Sequence, residues 1–239
     1  MLPDMTISLE FISRSTTWDI LTRVVGASCL AFLGAAAFWA ILGTLRQLAA
    51  AGVDARLAAT LVVNVSVFVL LLIESTLIVC RPKAVAKATG FKARVSALIG
   101  TWLIFVVVLL PIRADLPAPM YVLAASLSAF GDLMAIYVVL HLGGSFSLMA
   151  EARQLVERGP YAVIRHPLYL AEQVGLLGAL ITYLSWRALA LFVVQSFFQY
   201  VRARNEERVL ARCFPAYAAY IRRTPMLLPG LTLNRESRP

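Results

Sequence analysis

The sequence predicts an all-α membrane protein, a polytopic helix bundle of about six transmembrane segments that ends in a C-terminal helical hairpin. Three observations carry that reading. Of the 239 residues, 60% are hydrophobic and only 15% charged, a composition outside the range of soluble domains. The apolar residues gather into runs at about 24–45, 58–80, 95–112, 118–141, 168–185 and 188–201, most of them near the roughly 17 to 25 residues that cross about 30 Å of hydrocarbon. The basic residues sort by side. With the amino terminus inside, the outer side keeps only Arg46, Arg56, Arg113 and Arg187 of the 22 Lys and Arg. The inner side collects Arg14, Arg23, the cluster from Arg81 to Arg94, Arg153, Arg158, Arg165 and every arginine from Arg202 onward. The positive-inside rule therefore predicts six spans with both termini cytoplasmic. The preference for Ala, and for Arg over Lys, points to a bacterial inner membrane.

Residues 1–142 read as a scaffold of four spans. Gly26, Ala27, Gly34, Ala35, Ala36 and Ala37 let helices approach closely where lipid supplies no hydrophobic drive between them. Asn64, Glu74 and Asp132 interrupt the apolar sequence. Ionisable groups at such depth are functional candidates by default; against this, Glu74 can snorkel to the cytoplasmic end, and Asp132 can hydrogen-bond a neighbouring helix. The first twenty residues lack the basic start and short apolar core of a cleaved signal. Cys29, Cys80 and Cys213 have no C-x-x-C spacing, so neither a disulfide framework nor a metal site is expected. The net charge of +9 suits anionic membrane lipids at the cytoplasmic face; no aromatic-basic groove accompanies it, so nucleic acid is not expected as a partner.

Residues 143–239 carry the polar constellation. Gly159 and Pro160 favour a turn before Tyr161, and Pro167 suits the first turn of a helix. Arg165, His166 and Tyr169 then flank a helix N-terminus, whose free amides favour an anionic group. The turn at Ser185-Trp186-Arg187 folds the fifth and sixth spans into a hairpin. From 188 to about 213 the chain has neither Pro nor Gly, which allows one helix of about 39 Å, so its last turns leave the bilayer. Arg204, Arg208 and Arg212 recur every fourth residue as a solvated face. Arg202 and Glu206 are an i, i+4 ion pair, and Glu206 and Glu207 are adjacent carboxylates. Pro215 ends the helix before Tyr217, Tyr220 and a Pro225-to-Pro229 tail.

The ordered set Gly159-Pro160-Tyr161, Arg165-His166-Pro167-x-Tyr169, Arg202 with Glu206-Glu207, Phe214, Tyr217-x-x-Tyr220 and the proline-bounded tail resembles the isoprenylcysteine carboxyl methyltransferase family, which is related to phospholipid N-methyltransferases. The resemblance covers about residues 140–230. It implies a membrane enzyme that transfers a methyl group from S-adenosylmethionine without a Rossmann domain. It also implies that Gly159, Pro160, Tyr161, Arg165, His166, Pro167, Tyr169, Glu206 and Glu207 contact the cofactor, with Arg202 and Glu207 beside the reacting groups. Ala171 and Gly144 depart from the family pattern, which often has Gly and Arg there. The implied acceptor is lipophilic, a prenylated molecule or other isoprenoid or lipid acid, with a phospholipid amine as the alternative. A sterol-type membrane reductase using NADPH has a similar Arg-His and Tyr arrangement, but it has Asn where Leu168 precedes Tyr169.

The chemistry asks for little. Displacement at a sulfonium methyl needs alignment and exclusion of water. A carboxylate acceptor needs no base and suits the planar fork of Arg202, whereas an amine or thiol makes Glu207 the candidate base. Arg202 and Glu207 lie about 140° apart on an ideal helix, so Glu206 is the more natural neighbour of Arg202.

Overall fold

The computed structural model describes residues 9–11, 16–88, 91–111, 113 and 115–228. Arg14, Pro229, Arg235 and Arg238 lie outside the described residues. Helices α1 (Thr16–Ala51) and α2 (Ala55–Cys80) form an antiparallel hairpin. Gly52, at φ 84°, turns the chain. Asp54 then caps α2 by accepting the amides of Arg56 and Leu57, which satisfies two of the donors a helix start leaves free. Helix α4 (Ala118–Leu142) packs on α2 and on α5 (Pro167–Thr182), and α6 (Trp186–Cys213) packs on α3 (Phe91–Trp102). The short helix α7 (Tyr217–Arg223) follows Pro215.

Among the described residues, three helical stretches have the length and apolar composition to cross a bilayer: Asp19–Ala51, Ala55–Cys80 and Ala118–Ser145. The protein is therefore helical and membrane-type, and the remaining expected spans take other forms. The run expected at 95–112 is α3 followed by a 3-10 segment at Leu103–Leu109. Helix α5 is 16 residues long, about 24 Å. Helix α6 continues unbroken for 28 residues, with Ser185 accepting the Ala188 amide at its start.

Among the described helical glycines, the tightest contacts lie between α4 and α5 rather than at the early glycines. A Cβ on Gly131 would sit 2.3 Å from the Gly175 nitrogen, and one on Gly178 2.4 Å from the Ala124 carbonyl oxygen, whereas at Gly34 the nearest atom is 3.9 Å away. Small residues are what permit backbone contact between helices in lipid, and the fully buried Ala171 belongs to the same seam. Asp132 accepts the Ser66 hydroxyl at 2.7 Å, joining α4 to α2.

Polar bonds hold α6 against α3. Gln195 donates to the Gly100 carbonyl at 2.7 Å, Arg202 Nη1 to the Thr101 hydroxyl at 3.0 Å, and Asn205 to the Ser96 hydroxyl at 3.1 Å. At one end of the bundle a three-stranded antiparallel sheet, in order β1 (Leu9–Phe11), β2 (Ala86–Ala88), β3 (Glu151–Ala152), rests on α6. Ala86, Ala152 and Val209 form its buried contact. The sheet binds the α2–α3 connection to the loop after α4.

Candidate functional site

The polar constellation of the sequence folds around one cleft beside that sheet. Its walls are the end of α4 with the turn at Ser145 to Ser147, the strand β3 with Arg153, the segment from Tyr161 to Tyr169, the α6 side chains of Arg202 and Glu206, and Tyr217 and Tyr220 of α7. It encloses about 770 Å³, open solvent at the mouth included.

Gly159 begins the first wall for two independent reasons. Its φ is 61°, and a Cβ there would stand 2.5 Å from the His141 ring, so both backbone conformation and space call for glycine. Pro160 sets a 3-10 turn at Gly159–Ala162. Tyr161 is buried, and its carbonyl accepts the Tyr220 hydroxyl at 2.6 Å. The next segment is stitched to the tail: Arg165 donates its amide to the Pro225 carbonyl at 2.9 Å and His166 to that of Met226 at 3.1 Å. Pro167 then opens α5, as a residue without an amide can at that position.

Glu206 and Glu207 leave α6 in different directions. Glu207 faces the α5 N-terminus, where Oε1 is 3.1 Å from Arg165 Nη2 and 3.3 Å from His166 Nε2, and Oε2 is 3.0 Å from Arg204 Nη1. Burial pushes the Glu207 carboxyl upward, but the His166 hydrogen bond and the charges of His166, Arg165 and Arg204 outweigh it and hold the group below the usual carboxylate range. Glu206 lies at the cleft and accepts the Tyr169 hydroxyl. The Tyr169 ring stacks on that of His166 at 5.4 Å and carries the Arg202 guanidinium 5.0 Å above its centroid.

Arg202 is buried and occupied. Besides Thr101, it donates Nη2 to the Ser147 carbonyl at 3.0 Å. Its Nε is 3.4 Å from Glu206 Oε1 without hydrogen-bond alignment. The side chain thus ties α3, the loop after α4 and α6 together at one point. Of the sequence-predicted residues, Tyr161, Arg165, His166, Tyr169, Arg202 and Glu206 line the cleft, whereas Gly159, Pro160, Pro167 and Glu207 do not, Glu207 backing the His166 side.

Two cleft residues, Ser145 and Arg153, were not assigned to the site from sequence, and Tyr217 entered only as part of the tyrosine pair; each of the three has a buried N–H or O–H group with no partner, and all three line the cleft. The Tyr217 phenol is pushed up by burial, so it stays a hydrogen-bond donor at neutral pH. Only the charge of Arg153 in the loop after α4 hinted at its role. Among the described residues no three His, Cys, Asp or Glu side chains converge as a metal site would require.

Residues 119–216, from the start of α4 to just before α7, match the family model of the phospholipid methyltransferases (PEMT). This segment is thus similar to the phospholipid methyltransferases, and the long apolar helices around it are of a membrane-spanning kind. It is similar to the cobalt-zinc-cadmium resistance protein CzcN of Cupriavidus metallidurans, with 35% identity over 114 residues, 47% of this chain and 49% of that protein. It is also similar to the nickel-cobalt-cadmium resistance protein NccN of Alcaligenes xylosoxydans xylosoxydans, with 37% identity over 88 residues, 36% of this chain and 41% of that protein. The aligned stretch is thus at most about half the length of these curated relatives.

Proposed function

We propose that the cleft binds S-adenosylmethionine and that the protein methylates a lipophilic acceptor drawn from the bilayer. The observation that carries this reading is the convergence, inside the segment matched by the methyltransferase family, of the Gly159-to-Tyr169 wall with Arg202 and Glu206 on one cleft. The donor set fits the cofactor. Arg165 Nε and Nη1 and the Tyr217 hydroxyl are buried without partners, which suits a carboxylate and hydroxyl oxygens, and the Glu206 carboxylate suits an ammonium or a ribose hydroxyl. Tyr161, Arg165, His166, Tyr169 and Glu206 would hold it, with Gly159, Pro160 and Pro167 setting the course of that wall and Glu207 behind it.

When bound, S-adenosylmethionine supplies an electrophilic methyl on sulfur that an acceptor nucleophile displaces in line. The protein's own groups provide position and dryness. Glu207, held ionised by Arg165 and Arg204, fixes His166 in place. Burial keeps the phenols of Tyr161 and Tyr220 protonated, so they bond and do not abstract protons. A carboxylate acceptor, such as an isoprenylcysteine-like or other lipid acid, needs no base. A phospholipid amine, favoured by the family match, would deliver its proton to Glu206, the carboxylate on the cleft wall. The match to methyltransferases leaves the nicotinamide reductase reading without support.

The topology belongs to the same proposal. Six segments, with α3 plus its 3-10 extension, α5 and the first half of α6 completing the three long spans, put the cleft and both termini on the cytoplasmic side of a bacterial inner membrane. The basic residues at the ends of α2 and α6 support that orientation.

Calorimetric titration of purified protein with S-adenosylmethionine tests the assignment. His166→Ala and Glu207→Gln are each expected to weaken binding at least tenfold, about 1.4 kcal/mol. Unchanged affinity in both variants would reject the site. Methyl-labelled cofactor incubated with membranes should pass its label to the lipid extract.

A further inference from the structure

Among the described residues, nine buried side-chain nitrogen or oxygen atoms lack a hydrogen-bond partner. Six of them belong to residues lining the cleft: Ser145 Oγ, Arg153 Nη1, Arg165 Nε and Nη1, Arg202 Nε and Tyr217 OH. All six are N–H or O–H groups on residues that line the cleft, a donor-rich lining that suits a ligand with acceptors. They also fall on two walls. Arg165 and Tyr217 stand on the α5–α7 side. Arg153 stands on the sheet side, with 1% of its side chain exposed.

The sheet side carries a charge surplus. Glu151 is the shared anion there: Arg153 Nη2 lies 2.5 Å, Lys87 3.5 Å and Arg81 3.8 Å from its carboxylate oxygens. The Ser147 hydroxyl donates to Glu151 at 2.8 Å. The neighbouring Arg23 and Asp19 of α1 are paired with each other at 2.7 Å and leave the surplus unchanged. Arg153 spends Nε on the Pro82 carbonyl at 2.9 Å and Nη2 on Glu151, and keeps Nη1 free. A buried surplus of cations is costly unless an anion compensates it. Arg202, by contrast, has given both of its terminal nitrogens to the protein.

We propose that Arg153, on the sheet wall of the cleft, together with the Ser145 hydroxyl on the turn after α4, forms an oxyanion-binding subsite, which recognises a phosphate or carboxylate group of the acceptor. This rests on the methyltransferase reading for the word acceptor, but the subsite is read from Arg153 and its surroundings alone. The α5–α7 wall remains for the cofactor.

The test uses the full chain in an uncharged detergent, with hexadecyl phosphate and hexadecanoate as probes and hexadecanol as the uncharged comparison. Binding is read from the thermal unfolding midpoint, and S-adenosylmethionine affinity is measured separately by calorimetry. The two anionic probes are expected to raise the midpoint and hexadecanol to leave it in place. Arg153→Lys keeps the charge beside Glu151 and loses the free nitrogen, so it should weaken both anionic probes about tenfold without changing S-adenosylmethionine affinity. Ser145→Ala removes a hydroxyl with no partner in the fold and should weaken them severalfold, which keeps the test open should Arg153→Lys fail to fold. Equal effects of hexadecanol, or unaltered anion binding in both variants, would overturn the subsite. Loss of S-adenosylmethionine binding in Arg153→Lys with unaltered anion probes would assign Arg153 to the cofactor and overturn it as well. A parent protein that binds the anions but no S-adenosylmethionine would fail the methyltransferase reading and leave the subsite standing.

Discussion

Arg202 illustrates how one side chain can look like a ligand-binding group in sequence and act as a joint in the fold. Its guanidinium bonds Thr101 of α3 and the Ser147 carbonyl, and lies over the Tyr169 ring. A lysine keeps the charge but lacks the planar fork that reaches both oxygens. Arg202→Lys should leave one buried acceptor unpaired and cost about 1 to 3 kcal/mol of stability, read as a lower unfolding midpoint. Turnover on any accepted substrate should fall with it, while S-adenosylmethionine affinity holds. Turnover and midpoint equal to the parent's would remove Arg202 from both roles. The i, i+4 spacing announced the approach of Arg202 to Glu206, and helix geometry announced that Glu207 would point elsewhere. The partners from Ser147 and Thr101 were not legible, because nothing local ties position 202 to residues so far back in the chain.

At the level of elements, the Glu151 cluster locks the sheet to the helix ends. Burial raises the Glu151 carboxyl, but Arg153, Arg81, Lys87 and the Ser147 hydrogen bond together bring it below its ordinary value of 4.5. A carboxylate depressed in the folded state adds stability that is present above the unfolded value and lost as pH falls through the folded one. The protein should therefore lose stability below about pH 4.5. Glu151→Gln should remove about 3 kcal/mol near neutrality by leaving the arginines unpaired, and should flatten that acid limb. Unfolding midpoints of parent and variant across pH 3 to 7 check both statements; parallel curves would contradict them. The helices themselves were largely legible, since Pro167, Ser185 and Pro215 mark their ends by known backbone rules. The 3-10 segment at Leu103–Leu109 was not, because hydropathy registers apolar length and is blind to how tightly the backbone is wound. The α4–α5 seam was missed for a related reason: Gly131 and Gly178 are isolated in sequence and become a contact surface only once two helices cross.

For the molecule as a whole, the proposed topology puts the turn at Gly52 and the cleft end of the bundle on opposite sides of the membrane. Cys80, exposed at the end of α2, should react with a membrane-impermeant thiol reagent in inverted vesicles and not in intact cells. Val53→Cys, at a position 92% exposed, should show the reverse. Labelling of both from one side would reject the hairpin orientation. The tail contact adds a matter of timing. Pro225 and Met226 receive the amides of Arg165 and His166, yet they are made about 60 residues later, roughly 3 to 12 s at ordinary rates of synthesis. Through that interval the long helices can already have entered the bilayer while the edge of the cleft waits for the tail segment that bonds it. In the proposed topology assembly would then finish after insertion, and a nascent chain halted short of the tail would sit in the membrane with its cleft unclosed.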